Sequence, residues 1–200
     1  MNILCIDTSS IYASCALMRD NEVVGEKTSL SGLVHSKSVL PLVESVLESA
    51  GMDIEEIDVF SCVAGPGSFT GVRIGVCTVK GLAQAMNKPC FQVNSLDCLK
   101  ENVPYFKYVC PILDARRGQV YSAVYEDGKI IREHDVCLLE DVLEFLKDKG
   151  KEYAIIDVAY FVHEDKKVIK TMEKFTLRKD SEGKWKILFW AIGKVSDMEG

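Results

Sequence analysis

A chain of 200 residues is long enough for one large domain or two small ones, each with a real core. Its make-up, 48% apolar and 27% charged, is that of a globular protein, and its formal net charge of −6 excludes a protein that holds nucleic acid by electrostatics alone, since phosphate binding needs a clustered excess of Lys and Arg. No apolar run approaches the roughly 20 residues of a bilayer span, and no basic start precedes an apolar signal core, so the expected compartment is the cytoplasm.

In chain order, Asn2–Asp7 is an apolar run that ends in polar Asp7-Thr8-Ser9-Ser10. Ala13–Met18 and Glu22–Lys27 follow, with Arg19-Asp20-Asn21 as the turn between them, so the three runs read as an antiparallel meander. From His35 to Ala50, Val39, Leu40, Val43, Val46, Leu47 and Ala50 recur at helical spacing, and Gly51 supplies a stop. Pro41 inside that pattern predicts either a kink or a late start. Asp58–Ala64 reads as a buried strand, Gly71–Met86 as a second helix and Cys90–Val93 as another strand.

The pattern then begins again. With an offset of 107, Asp7 falls on Asp114, Ala16 on Ala123, Asp20 on Asp127 and Glu26 on Glu133, and Glu140–Lys149 supplies the helix after the third strand. A strand–strand–strand–helix–strand unit repeated at this period implies two related lobes with a cleft between them. Composition also shifts along the chain: residues 1–150 carry 14 Lys and Arg against 21 Asp and Glu, whereas residues 151–200 carry 10 against 9. The expected division is a first lobe over 1–104, a partial second lobe over 105–155 and a divergent tail over 156–200. The eight cysteines contain no CxxC pair and sit mostly in apolar runs, which reads as reduced core thiols and no zinc site.

Two stretches carry candidate chemistry. Asp7-Thr8-Ser9-Ser10 is either an ordinary turn or a phosphate cradle with a carboxylate for Mg²⁺. Gly65-Pro66-Gly67-Ser68-Phe69-Thr70-Gly71-Val72-Arg73 joins a buried strand to a helix N-terminus, where backbone donors point outward, but it lacks the Gly-Lys-Ser/Thr ending of a P-loop. It reads either as an anion site or, through Gly71, Gly75 and Gly81, as a smooth face that lets another helix approach. His134 reads as a lone surface residue, and His163-Glu164-Asp165-Lys166-Lys167 lacks the second histidine of a metalloprotease helix.

Together Ile3–Ser9, His35-Ser36, Gly65–Arg73, Lys80–Ala83, Ser95-Leu96 and the string Leu-Asp-Ala-Arg-Arg-Gly-Gln-Val-Tyr over 113–121 resemble the TsaB family across about residues 1–150. The resemblance implies an α/β, actin-like fold of two ribonuclease-H-like lobes. It also implies a non-catalytic subunit that binds the related catalytic subunit TsaD and, with the ATPase TsaE, supports threonylcarbamoyl transfer to the adenosine beside the tRNA anticodon. Contact with tRNA would run only through the complex, and the chain alone would form a homodimer. The family's partner interface maps onto helices 35–50 and 71–86, here His35, Val39, Leu40, Val43 and Leu47 with Gly71, Val72, Arg73, Gly75, Val76 and Val79. Asp7, Thr8, Ser9, Asp114 and Arg116 would face a nucleotide, with at most weak binding of ATP and Mg²⁺. The catalytic relative carries an HxxxH metal pair, whereas here His35 is followed four residues on by Val39, so no metal site is expected.

The motifs stop near Ile155. Beyond it Val168–Arg178, a turn at 180–183 and Lys184–Ile192 read as a β-hairpin, foreign to the family, on a truncated or altered second lobe. The competing reading is an active ATP-dependent phosphotransferase on the same fold, with Asp7 and Asp114 flanking the nucleotide; it requires a catalytic base and a complete second lobe.

Overall fold

The computed structural model describes residues 1–29, 35–102, 107–148, 153–164, 167–179 and 185–192, and the side-chain surroundings of 1–29, 37–102 and 107–146. The chain divides into two compact units, Met1–Ser95 and Leu96–Gly200. In the first, β1 (Asn2–Asp7), β2 (Ala13–Arg19) and β3 (Glu22–Ser29) form an antiparallel meander; β4 (Val59–Val63) and β5 (Cys90–Val93) add in parallel, giving the order β3-β2-β1-β4-β5. Helices α1 (His35–Ala50) and α2 (Phe69–Met86) bury their apolar stripes in one core with Leu4, Ile6, Leu17 and Phe60. Each of those fully buried side chains contributes about 1.5–3 kcal/mol through removal from water. On α1 the buried positions are Val39, Leu42, Val43, Val46 and Leu47, the spacing of one helical face. The helix begins at His35 and runs through Pro41, which excludes the late start.

The second unit repeats the plan. β6 (Tyr108–Arg116) pairs antiparallel with β7 (Gln119–Glu126), β7 with β8 (Lys129–Leu138), and β9 (Tyr153–Glu164) runs parallel to β6. The order β8-β7-β6-β9 therefore matches β3-β2-β1-β4, as the offset of 107 implied. α4 (Leu139–Asp148) packs Val142 and Leu146 against Cys110, Ile112, Val124 and Cys137 on one side of this sheet. α3 (Ser95–Glu101) packs Leu96 and Leu99 with Val109, Ala123 and Tyr125. Both units are α/β; the ribonuclease-H-like order of actin-like folds is complete in the first and matched through β9 in the second.

Two boundaries differ from expectation. The division falls at Ser95 rather than 104, because Leu96 and Leu99 of α3, an element the sequence reading omitted, belong to the second core. Residues beyond 155 do not stand apart either: β9 sits beside β6, β10 (Lys167–Lys179) pairs with β9, and β11 (Trp185–Ile192) closes the expected hairpin on β10. After β9 the chain thus turns into β10, where the first unit proceeds from β4 into α2.

Candidate functional site

The two Asp-containing turns at the ends of β1 and β6 have the same local geometry. In the first, Ser9 N–H donates to Asp7 Oδ1 at 2.7 Å; in the second, Arg116 N–H donates to Asp114 Oδ1 at 2.7 Å. Each is an Asx turn, the local bond that favours Asp where a strand ends. What surrounds the two turns differs.

The first turn is sealed by the Gly65–Arg73 loop. Thr8 is fully buried, its Oγ1 donates to the Gly71 carbonyl at 2.6 Å, and Ser68 N–H donates to the Ser9 carbonyl at 2.6 Å. Ser68 caps α2 by accepting from Gly71 N–H at 3.2 Å, and Ser95 N–H ties down the Gly65 carbonyl at 2.8 Å. The glycines make this contact possible. A Cβ at Gly71 would stand 3.1 Å from the Thr8 carbonyl carbon and overlap its oxygen; one at Gly75 would meet Thr8 Oγ1 at 2.5 Å; one at Gly67 would press on Ser9. Gly71 and Gly75 thus seat α2 on the end of β1, not on another helix. Of the three glycines in α2, Gly81 alone faces open space. Thr8 Oγ1, the Ser9 and Ser68 N–H groups and one oxygen of Asp7 thus spend hydrogen bonds inside the protein, which leaves the first turn fewer donors for a phosphate.

The second turn is open. Asp114, Arg116, Arg117 and Gly118 are exposed, and φ is +67° at Arg116, +55° at Arg117 and +76° at Gly118. Only glycine adopts this region without penalty, and each arginine held there costs about 1–2 kcal/mol. Among the described residues neither guanidinium makes an ion pair.

The expected docking residues separate sharply by burial. Val39, Val43, Leu47 and Val79 are 1–7% exposed and form the core of the first unit; Gly71 and Gly75 are buried at the β1 turn. This corrects the expected apolar face, because an amphipathic stripe on a helix beside a sheet is claimed first by the sheet. Val72 and Val76 are half-buried, Arg73 is exposed, and Leu40 is 48% exposed. The side chain of His35 lies outside the described residues. Sequence reasoning missed Phe69, 70% exposed with the Arg73 guanidinium 3.6 Å from its ring centroid. The signal was available: the two stand four apart on a helix, where an aromatic and a cation meet.

A second omission lies in the other unit. His134 is bonded: its Nε2 is 3.0 Å from Tyr125 Oη and 3.1 Å from Asp97 Oδ1, and the buried Tyr125 hydroxyl also donates to Asp97. Because that hydroxyl gives its proton to Asp97, Nε2 is the donor to this pair. Burial, and then the bond to Asp97, push the Tyr125 hydroxyl well above its usual range. Buried thiols shift the same way, Cys15 to about 12 and Cys110 to about 11, chiefly through burial. None of the eight cysteines forms a disulfide, but Cys77, Cys90 and Cys98 are exposed rather than in the core. Among the described residues no helix is long and apolar enough to cross a membrane.

Comparison with known proteins fixes the lineage. A family model described as TsaD, tRNA N6-adenosine threonylcarbamoyltransferase, matches residues 29–175. The tRNA threonylcarbamoyladenosine biosynthesis protein TsaB of Bacillus subtilis is 38% identical over 156 residues, 76% of this chain and 68% of that protein. The chain belongs to the TsaB family. The Escherichia coli TsaB is 35% identical over 129 residues, 63% of this chain and 55% of its own length, so the chain spans little more than half of that relative. Among solved structures, YeaZ from Pseudomonas aeruginosa superposes with a TM-score of 0.63 at 29% identity, covering 70% of this chain and 68% of that one. The match to the TsaD family model reaches residue 175, past the last shared motif, so part of the C-terminal sequence lies inside it.

Proposed function

We propose that this chain is a non-catalytic partner subunit in threonylcarbamoyladenosine modification of tRNA, docking a TsaD-like catalytic subunit and working with a TsaE-like ATPase. The observation that carries the reading is 38% identity to the Bacillus subtilis protein named for that pathway, across 68% of its length. The site chemistry supports the absence of catalysis. The position four after His35 is Val39, a core side chain at 1% exposure, where a second metal ligand would have to stand. Against the phosphotransferase alternative stands the β1 turn, where Thr8 and the Ser9 carbonyl are bonded to the Gly65–Arg73 loop. Contact with tRNA comes through the complex, and the chain alone pairs with a second copy through the same helices.

The docking face on this reading is built from what α1 and α2 leave outward: Leu40, Phe69, Arg73, Cys77 and the open surface at Gly81. An exposed aromatic and arginine beside a smooth glycine position suit an interface anchor. Gel filtration with a TsaD-like subunit tests it. The parent chain should co-elute with the partner, and a folded Leu40→Glu/Cys77→Glu double variant should not. Failure of the parent to co-elute overturns the partner reading; co-elution of the folded double variant overturns the assigned face.

A further inference from the structure

The second unit presents a surface that the α1–α2 face does not explain. Across β6, β7 and β8 the register aligns Leu113 with Tyr121 and Tyr121 with Val136, one cross-strand row on one side of the sheet. The next row toward the turn aligns Arg116 with Gln119 and Gln119 with Leu138. Burial falls along these rows toward the edge. Leu113 and Tyr121 are half-buried against the α3 side of the core, while Val136 is 44% and Leu138 48% exposed. Here an apolar step ends at two exposed arginines. Their counterparts in the first unit, Ser9 and Ser10, lie where α2 seals the turn; among the described residues no helix follows β9 to seal this one.

We infer that Leu113, Tyr121, Val136 and Leu138, with Arg116 and Arg117 at their end, form a second docking surface, for an acidic amphipathic segment of a protein partner. Charge complementarity selects the occupant. Two adjacent guanidinia without an ion-pair partner among the described residues, on a chain of net charge −6, match carboxylates, and the apolar rows beside them match Leu or Phe side chains. An RNA backbone fits less well, because it offers nothing to the apolar rows and a phosphate track needs more than two cations. The occupant lies across the sheet face rather than adding as a strand. β8 is an edge, but its Val136 N–H donates to Asp135 Oδ1 at 2.7 Å and its Leu138 N–H to Asp141 Oδ2 at 3.2 Å, so carboxylates of the chain already occupy those edge donors.

The test is a titration of the ¹⁵N-labelled full chain, followed by amide shifts, with three probes. These are a short synthetic peptide alternating Glu or Asp with Leu or Phe, the same peptide with Gln and Asn for the acids, and an oligouridylate. The acidic peptide should shift residues 113–121 and 136–139. Its affinity should fall at least tenfold in the neutral version, in Arg116→Glu/Arg117→Glu, and in Val136→Ser/Leu138→Ser, whose exposed positions keep the fold intact. The inference is overturned if the acidic peptide leaves these residues unmoved or binds both variants as well as the parent. It is equally overturned if the oligouridylate binds there more tightly, or if the same signals shift with protein concentration alone, which would assign the face to a second copy. Binding of the TsaD-like subunit at α1 and α2 is read separately, by gel filtration, so the two readings fail independently.

Discussion

Replacing Gly71 by alanine and Gly81 by alanine should change stability in opposite directions, although both glycines lie within α2. At Gly81 a methyl group meets nothing, and the gain is the helix preference for Ala over Gly, about 0.5–1 kcal/mol. At Gly71 the same gain is overwhelmed. The new Cβ overlaps the Thr8 carbonyl oxygen, and the obstacle is backbone in a fully buried turn, not the end of a flexible side chain. α2 must retreat by about 1 Å or more to restore ordinary contact distances. Retreat stretches the Thr8 Oγ1 bond to the Gly71 carbonyl and the Ser68 N–H bond to the Ser9 carbonyl, both 2.6 Å. Buried polar groups left without partners cost about 1–3 kcal/mol each, so the net loss is about 2–4 kcal/mol. Urea unfolding followed by far-UV circular dichroism gives both values, and amide exchange at 68–75 localises the loss. A Gly71→Ala protein within about 1 kcal/mol of the parent would refute the packing argument.

Three further outcomes are expected. ATP with Mg²⁺ should bind no more tightly than about 1 mM, near −4 kcal/mol, because the first turn spends its donors internally; a micromolar calorimetric constant abolished by Asp7→Ala would overturn this. Stability should fall as pH rises above about 10, the ordinary tyrosine value, since the unfolded chain then releases a proton that buried Tyr125 retains; the slope contribution is up to about 1.4 kcal/mol per pH unit. Tyr125→Phe should flatten that slope in urea midpoints, and an unchanged slope counts against the raised hydroxyl. At neutral pH Asp97→Leu should cost about 1–3 kcal/mol by removing the carboxylate acceptor that the Tyr125 hydroxyl and His134 share, read from the same unfolding curves.

Much of the fold was legible because its signals are local. Apolar runs and short turns gave β1 to β3, helical spacing gave α1, and the Asp7 to Asp114 offset led to two sheets whose strand order matches through β9. α3 was missed: at 7 residues, with Leu96 and Leu99 as its packed positions, it carries too little periodicity to separate from a loop. The site was less legible. Periodicity shows that Val39, Val43, Leu47 and Val79 share faces, but not whether a sheet or a partner covers them. His134 looked solitary because Asp97 is 37 residues away, and only the pairing of α3 with β7 and β8 joins them. Cys77, Cys90 and Cys98 misled for the converse reason: an apolar neighbourhood in sequence did not bury them.

The row Gly67, Gly71, Gly75 has a bearing on how such chains are recognised. The string from Gly65 to Arg73 is distinctive because the end of β1 leaves no room for a methyl group at those points, and a joint so tight accepts few alternatives. The demand comes from carpentry rather than chemistry: nothing in it requires a substrate, a metal or a proton in flight. A chain that keeps this string has kept the way its first sheet is locked to its second helix, and it can shed a reaction without disturbing the lock. The fingerprint therefore tracks descent and assembly, while evidence for or against turnover has to be sought elsewhere in the molecule.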